Sequence, residues 1–150
     1  MGAMKIVIGS DHAGFELKEK IKQFLDKKNI IYTDGGTNSS NSVDYPDIAV
    51  KISTLYLDNN YDYGILVCGS GIGMSIVANK IKGIRAALCN TAEMAQLARL
   101  HNNANILCLG GRMVKPDEAE NIIITFLTTE FSKEERHHRR VEKIHMLTGV

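Results

Sequence analysis

The sequence predicts an α/β fold: a three-layer αβα sandwich around a doubly wound, five-stranded parallel sheet of the Rossmann-like kind, in strand order 2-1-3-4-5. Three observations predict it. Short apolar runs and amphipathic stretches alternate from one end of the chain to the other. The apolar runs are continuous rather than alternating, as strands buried on both faces require. Five such units use up the 150 residues, so residues 4–150 read as one domain without a repeat or linker.

Ile6-Val7-Ile8 is the first strand, ending at Gly9. Leu17, Ile21, Phe24 and Leu25 then recur at helical spacing among lysines and glutamates. Ile30-Ile31-Tyr32 is the second strand, stopped by Asp34-Gly35-Gly36, and residues 37–43, rich in Ser and Asn, read as a surface loop. Ile48, Ile52 and Leu55 mark the next helix. Gly64 to Cys68 is the third strand and runs into a glycine-rich turn. Ile84 to Cys89 and Ile106 to Leu109 are the fourth and fifth strands. The helix between them opens at Asn90, with Glu93 three residues on in a capping-box arrangement. Pro116 suits the first position of a further helix, and a last helix over 133–147 closes the chain.

Composition excludes several function classes. Eighteen Lys plus Arg against 17 Asp plus Glu argue against a general nucleic-acid binder. No apolar stretch approaches the roughly 20 residues that span a bilayer, and no signal peptide is visible. Met1-Gly2 lacks the Ser or Thr that myristoylation wants at position 6, which is Ile. Met4-Lys5 reads as the natural start, with Met1 to Ala3 a cloning remnant. Three cysteines without metal-ligand spacing suit a reducing compartment, so the chain reads as cytosolic.

In a doubly wound sheet, ligands bind beyond the carboxyl ends of the strands. The richest exit is Cys68-Gly69-Ser70-Gly71-Ile72-Gly73. Its alternating glycines bring backbone N–H groups close to an anionic oxygen, and a following helix points its positive end there. The plain alternative is a strand-to-helix turn. Neither a Walker A loop nor a dinucleotide fingerprint fits: Lys80 arrives too late, and the glycine spacing and the strand are wrong for the second. Cys68 stands immediately before this cradle, where the dipoles favour a thiolate; Cys89 and Cys108 read as buried apolar residues. Asp11-His12 leaves the first strand, with a helix cap and a surface histidine as the bland readings. His101 follows Met94 and Leu97 by seven and four residues, which places it on the inward face near its helix's C-terminus, where the dipole favours a protonated ring. A core histidine is the alternative there. Residues 133–145 carry five Lys or Arg against three Glu. Arg136 and Arg140, one turn apart, form a fork suited to a phosphate dianion, or else part of a solvated basic face. The adjacent His137 and His138 make no metal pair.

Together these exits resemble the ribose-5-phosphate isomerase B family, within the superfamily that includes galactose-6-phosphate isomerase. The resemblance runs from about Lys5 to Ile144. It is carried by G-S-D-H-A-G-F at 9–15, D-Y-P at 44–46, G-I-L-V-C-G-S-G-I-G at 64–73, R-L-H-N at 99–102, G-G-R at 110–112 and R-H-H-R-R-V-E at 136–142. It implies Cys68 as catalytic base and His101 as the acid that opens the sugar ring, with help from Asp11. It implies Asp11, His12, Gly69, Ser70, Gly71, Ile72, Gly73 and Asn102 as substrate contacts, with Tyr45 as a pocket wall. Arg112, Arg136 and Arg140 match phosphate contacts. It further implies a homodimer, left open as a dimer of dimers, with the site at the subunit interface and some arginines supplied by the neighbour. One family branch uses a glutamate where this chain has Met74; with Cys68 present, the chain groups with the cysteine branch. An insertion near Ser132 to Glu135 is the visible departure.

The expected reaction is aldose–ketose isomerisation of ribose 5-phosphate to ribulose 5-phosphate, a step of the non-oxidative pentose phosphate pathway. Cys68 shuttles a proton through an enediolate that Ser70 and the loop amides stabilise, and no cofactor or metal is called for. Rivals are isomerisation of a six-carbon phosphate (allose or galactose 6-phosphate), a non-catalytic sugar-phosphate sensor, and a flavin or nucleotide module. The last lacks a fingerprint and a tryptophan for stacking. No nucleic acid or membrane partner is expected.

Overall fold

A computed structural model of the chain describes residues 3–150; the reading of Met1 and Gly2 as a remnant lies outside the described residues. The elements are β1 (Lys5–Ser10), α1 (Phe15–Lys27), β2 (Ile31–Asp34), α2 (Tyr45–Asp58), β3 (Tyr63–Cys68), α3 (Ile72–Ala78), β4 (Ala86–Leu88), α4 (Ala92–Asn102), β5 (Ile106–Gly110), α5 (Pro116–Thr128) and α6 (Glu135–Thr148). All strand pairs are parallel, so the α/β reading holds.

Each helix shows the sheet the stripe its sequence spacing dictates. Leu17, Ile21, Phe24 and Leu25 of α1, Ala95 and Ala98 of α4, and Ile122, Ile123 and Phe126 of α5 cover one face, against Ile6, Ile8, Ile65, Val67, Leu107 and Leu109. Ala49 and Ile52 of α2, with Met74 and Ala78 of α3, cover the other, against Val7, Leu66, Cys68, Ile106 and Cys108. Each fully buried Ile, Leu or Val contributes about 1.5–3 kcal/mol, so the central strands carry much of the stability. The last helix differs. Along its 14 residues, α6 buries only His137.

The sheet order is β2-β1-β3-β5-β4, which corrects the expected 2-1-3-4-5. The last two strands trade places because of their composition. Ile106-Leu107-Cys108-Leu109-Gly110 is buried at every residue, an interior strand. Ala86-Ala87-Leu88 is three residues long and only half-buried, which suits an edge. The Asn79 side chain closes that edge: Ala86 N–H donates to its Oδ1 at 2.8 Å and its Nδ2 donates to the Ala86 carbonyl at 2.9 Å. The swap sets β5 directly beside β3, pairing Cys68 with Gly110, and so brings Arg112 to the same strand exit as Cys68.

Helix starts differ at two places: α6 begins at Glu135 rather than at 133, and α4 begins one residue late. Thr91, not Asn90, caps α4, its hydroxyl oxygen accepting from Met94 N–H at 3.1 Å. Thr91 has the extended backbone a cap needs, but the residue three on is Met94, so the expected capping box does not form and only the cap's own hydrogen bond is made. Pro116 opens α5 as expected, with Lys115 N–H donating to the Glu118 carboxylate at 3.0 Å. Among the described residues no helix is long and apolar enough to cross a membrane.

Candidate active site

The exits of β1, β3 and β5 meet at one cleft of about 580 Å³. Backbone hydrogen bonds fasten the three together: Asp11 N–H to Val67 O at 3.2 Å, Gly111 N–H to Cys68 O at 2.7 Å, and Arg112 N–H to Gly69 O at 3.0 Å. Asp11, His12, Tyr45, Cys68, Gly69, Ser70, Ile72, Gly73 and Arg112 all line it. Ala13, Ile76 and Met113, which motif reading did not single out, line it too. Met113 was foreshadowed only by following Arg112.

Cys68 is 5% exposed, and Gly71 N–H points at its sulfur at 3.1 Å. Gly71 must be glycine: its φ is +79°, and a Cβ there would run into Leu88 and the Leu109 backbone. Since α3 has only seven residues, this cradle acts through local N–H groups rather than through a long helix dipole. Ser70 Oγ accepts from Ile72 N–H at 3.2 Å, which leaves its own proton to donate into the cleft. Burial pushes the Cys89 thiol up to about 12, and burial pushes Cys108 higher still. Both are therefore unreactive core residues, as read from sequence.

The remaining wall is held from below. Asp11 Oδ1 accepts from Gly14 N–H at 3.0 Å, so the capping role is real and occupies one of its two oxygens. His12 Nδ1 lies 3.2 Å from both the N–H and the carbonyl of Val43. Val43 can serve either tautomer or the imidazolium, and Nε2 is the nitrogen left for a ligand. The Tyr45 ring packs against Gly73, where any Cβ would collide with it. The Arg112 guanidinium rests against Gly69, its NH1 3.4 Å from where a Cβ would sit.

Under this wall sits an ion pair that sequence reading missed. Lys18 is fully buried; its Nζ donates to Asp34 at 2.7 and 2.8 Å and to the Thr37 carbonyl at 2.6 Å. Thr37 N–H donates in turn to Ser10 O at 2.7 Å, so the pair anchors the loop beside Asp11. Burial raises the Asp34 carboxyl, but hydrogen bonds from Lys18, Lys22 and Gly36 N–H outweigh it and leave it below the usual aspartate value. The signal was present: Lys18, Ile21 and Leu25 share the i, i+3, i+7 stripe.

Five expected site residues do not line this cleft: Gly71 stands behind it with its N–H on the Cys68 sulfur, and the other four lie on α4 and α6. His101 lies on α4, where its companions Met94 and Leu97 are 43% and 41% exposed. The stripe therefore faces outward, correcting the inward reading. The inward stripe of α4 is Ala95, Ala98 and Arg99, small residues and an arginine stem that a hydropathy count overlooks. Asn102 ends α4 beside a separate cavity of about 300 Å³ under α6. Arg136 pairs through Nε with Glu134 at 2.8 Å, both largely exposed, and Arg140 is exposed one turn on.

Comparison with known proteins agrees with this architecture. The family model described as Ribose/Galactose Isomerase matches residues 6–144. A ribose-5-phosphate isomerase B of Escherichia coli is 41% identical over 93% of each chain. A ribose-5-P isomerase B of Listeria innocua is 45% identical over 86% of this chain and 87% of its own. The crystal structure of a ribose 5-phosphate isomerase from Thermotoga maritima superposes with a TM-score of 0.92 at 55% identity, over 95% of this chain and 98% of that one.

Proposed function

The chain belongs to the ribose/galactose isomerase family, and we propose that within it this protein interconverts ribose 5-phosphate and ribulose 5-phosphate with Cys68 as the base. The observation that carries the reading is the Cys68 thiol at the floor of the cleft, with Gly71 N–H on its sulfur and the Ser70 hydroxyl and Arg112 guanidinium beside it. The named activities of the relatives above support the substrate.

The thiolate removes the C2 proton and returns it at C1. Ser70 and the loop N–H groups oppose the charge that develops on the enediolate oxygen. Arg112, at the rim, takes the phosphate and so fixes which carbon faces sulfur. Asp11 and His12 hold the sugar hydroxyls from the β1 side.

Ring opening needs an acid, and the protomer's own His101 does not line its cleft. A homodimer supplies it. The outward stripe of Met94, Leu97 and His101, the half-exposed Ile72 and Ile76 at the cleft rim, and the nearly unburied α6 form apolar faces that suit a second copy. In that dimer each subunit's His101, Asn102, Arg136 and Arg140 complete the other's cleft, and residues 4–150 act as one catalytic domain. The thiol base suits the reducing cytosol.

The test is conversion of ribose 5-phosphate by purified protein with EDTA present, beside Cys68→Ser and beside allose and galactose 6-phosphates. Conversion of the pentose by wild type alone is expected. Preference for a six-carbon phosphate would overturn the substrate, and turnover by Cys68→Ser would overturn the base.

A further inference from the structure

Of the residues on the α4–α6 face, one has no role in the reaction as derived so far. His137 is 6% exposed, the only residue α6 buries, and its ring lies parallel to that of His101, with centroids 4.4 Å apart and planes 6° from coplanar. This stack is the one buried contact of α6; farther along, His145 Nε2 lies 2.9 Å from Arg85 NH1, and the Arg85 guanidinium donates to the Asn102 and Asn103 carbonyls at the end of α4. Ser132 N–H donates to the Leu100 carbonyl at 3.0 Å and ties the same two segments together just before α6 begins.

We propose that His137 is a positioning residue for the ring-opening acid: a neutral aromatic plate that fixes the plane of His101 and supports its imidazolium form. The inference rests on the reading of His101 as that acid. Two stacked imidazoles do not both hold a proton at neutral pH, because like charges so close repel. Desolvation and the neighbouring charges of His101 and Arg136 hold His137 below its ordinary value, with Glu134 opposing and Arg140 adding to the effect. Arg99, the other charged group of this stretch of α4, points inward against Tyr63 and Phe126. His137 is therefore the neutral ring of the pair, and the π face of a neutral ring attracts a cation stacked on it. Arg136 precedes the plate and Arg140 lies three residues beyond, so phosphate grip and acid orientation sit on one rigid unit.

The experiment compares His137→Ala, His137→Phe and His101→Ala on ribose 5-phosphate, recording kcat, KM and the pH profile of kcat. His137→Ala should lose about tenfold or more in kcat with KM within about threefold, and the alkaline limb of its profile should move to lower pH, because His101 gives up its proton more readily without the plate. His137→Phe keeps a flat aromatic face and should restore kcat to within about threefold together with the wild-type profile. Equal loss in Phe and Ala variants, or no loss in His137→Ala while His101→Ala is inactive, overturns the plate alone. Full turnover by His101→Ala overturns the acid reading and the plate with it.

Discussion

The two halves of the site are built by different means. At the strand exits, Cys68, Ser70, Asp11, His12 and Arg112 are set by buried strands, short loops and backbone hydrogen bonds, so their geometry is complete within one protomer. On α4 and α6, His101, Asn102, Arg136 and Arg140 ride on a face that buries almost nothing of its own. The first half is rigid because the core fixes it. The second is ordered by two stacked rings, a few backbone ties and, on the reading above, another subunit. On the proposed reading, the thiol base and the ring-opening acid of one cleft come from different subunits. Mutations in the two halves should therefore fail differently.

Loss of the thiol gives the largest effect. Cys68→Ser leaves a hydroxyl far less acidic than a thiol beneath the same N–H, and ribose 5-phosphate turnover should fall about 10³-fold or more. The melting temperature should stay near wild type, since one buried sulfur is replaced by oxygen with a donor at hand. Turnover within tenfold of wild type would place the base elsewhere. Cys108→Ser should show the opposite pattern: a polar hydroxyl in a fully buried position lowers stability and spares kcat.

Next comes the brace beneath the first half. Lys18→Met removes one partner of a buried pair and leaves Asp34 without it, a loss of about 3 kcal/mol in a denaturant titration, at the low end of the range for such breaks because Lys22 still reaches Asp34 at 2.9 Å. The sign with pH follows from the lowered Asp34 carboxyl. Its contribution is full above the ordinary aspartate value of about 4 and is lost as pH falls through the lower folded value. Wild-type stability should drop over that window and the variant's should drop less. A variant that loses stability with an unchanged acid slope would show that Asp34 is not the group Lys18 serves.

What was legible in the sequence follows the same division. Continuous apolar runs announced the strands, and glycines at 69, 71 and 73 announced the cradle, because strand burial and tight turns are encoded locally. The order of the last two strands was not so announced, although the fully apolar Ile106–Gly110 and the short Ala86–Leu88 held the clue: interior strands are buried at every residue and edges are not. Lys18 was hidden among surface lysines, since composition does not say which lysine turns inward, yet its place in the Ile21 and Leu25 stripe does. His101 was misplaced for a deeper reason. Met94 and Leu97 are apolar as core residues are, and an apolar stripe left exposed on the protomer has the same periodicity as one packed on the chain's own core.

Phosphate contacts on the second half should show in binding more than in chemistry. On the proposed phosphate role of Arg140, Arg140→Ala removes a charge-assisted hydrogen bond, typically about 1.5–3 kcal/mol, so KM for ribose 5-phosphate should rise roughly 10- to 100-fold while kcat changes less. An unchanged KM would remove Arg140 from the phosphate site.

The most informative effect is also the smallest in magnitude. Cys68→Ser and His101→Ala should each be inactive as pure proteins. If every cleft joins Cys68 of one subunit to His101 of the other, a mixed dimer holds one cleft with both lesions and one with neither. Random exchange at equal concentration makes about half of the dimers mixed, each with one working cleft of two, so activity should recover to roughly a quarter of wild type from two dead samples. If base and acid instead came from the same subunit, every cleft in every dimer would carry one lesion and mixing would restore nothing. The mixture thus separates a cleft divided between subunits from a protomer that bends α4 back onto its own thiol, because only the divided cleft turns two complementary defects into one intact site.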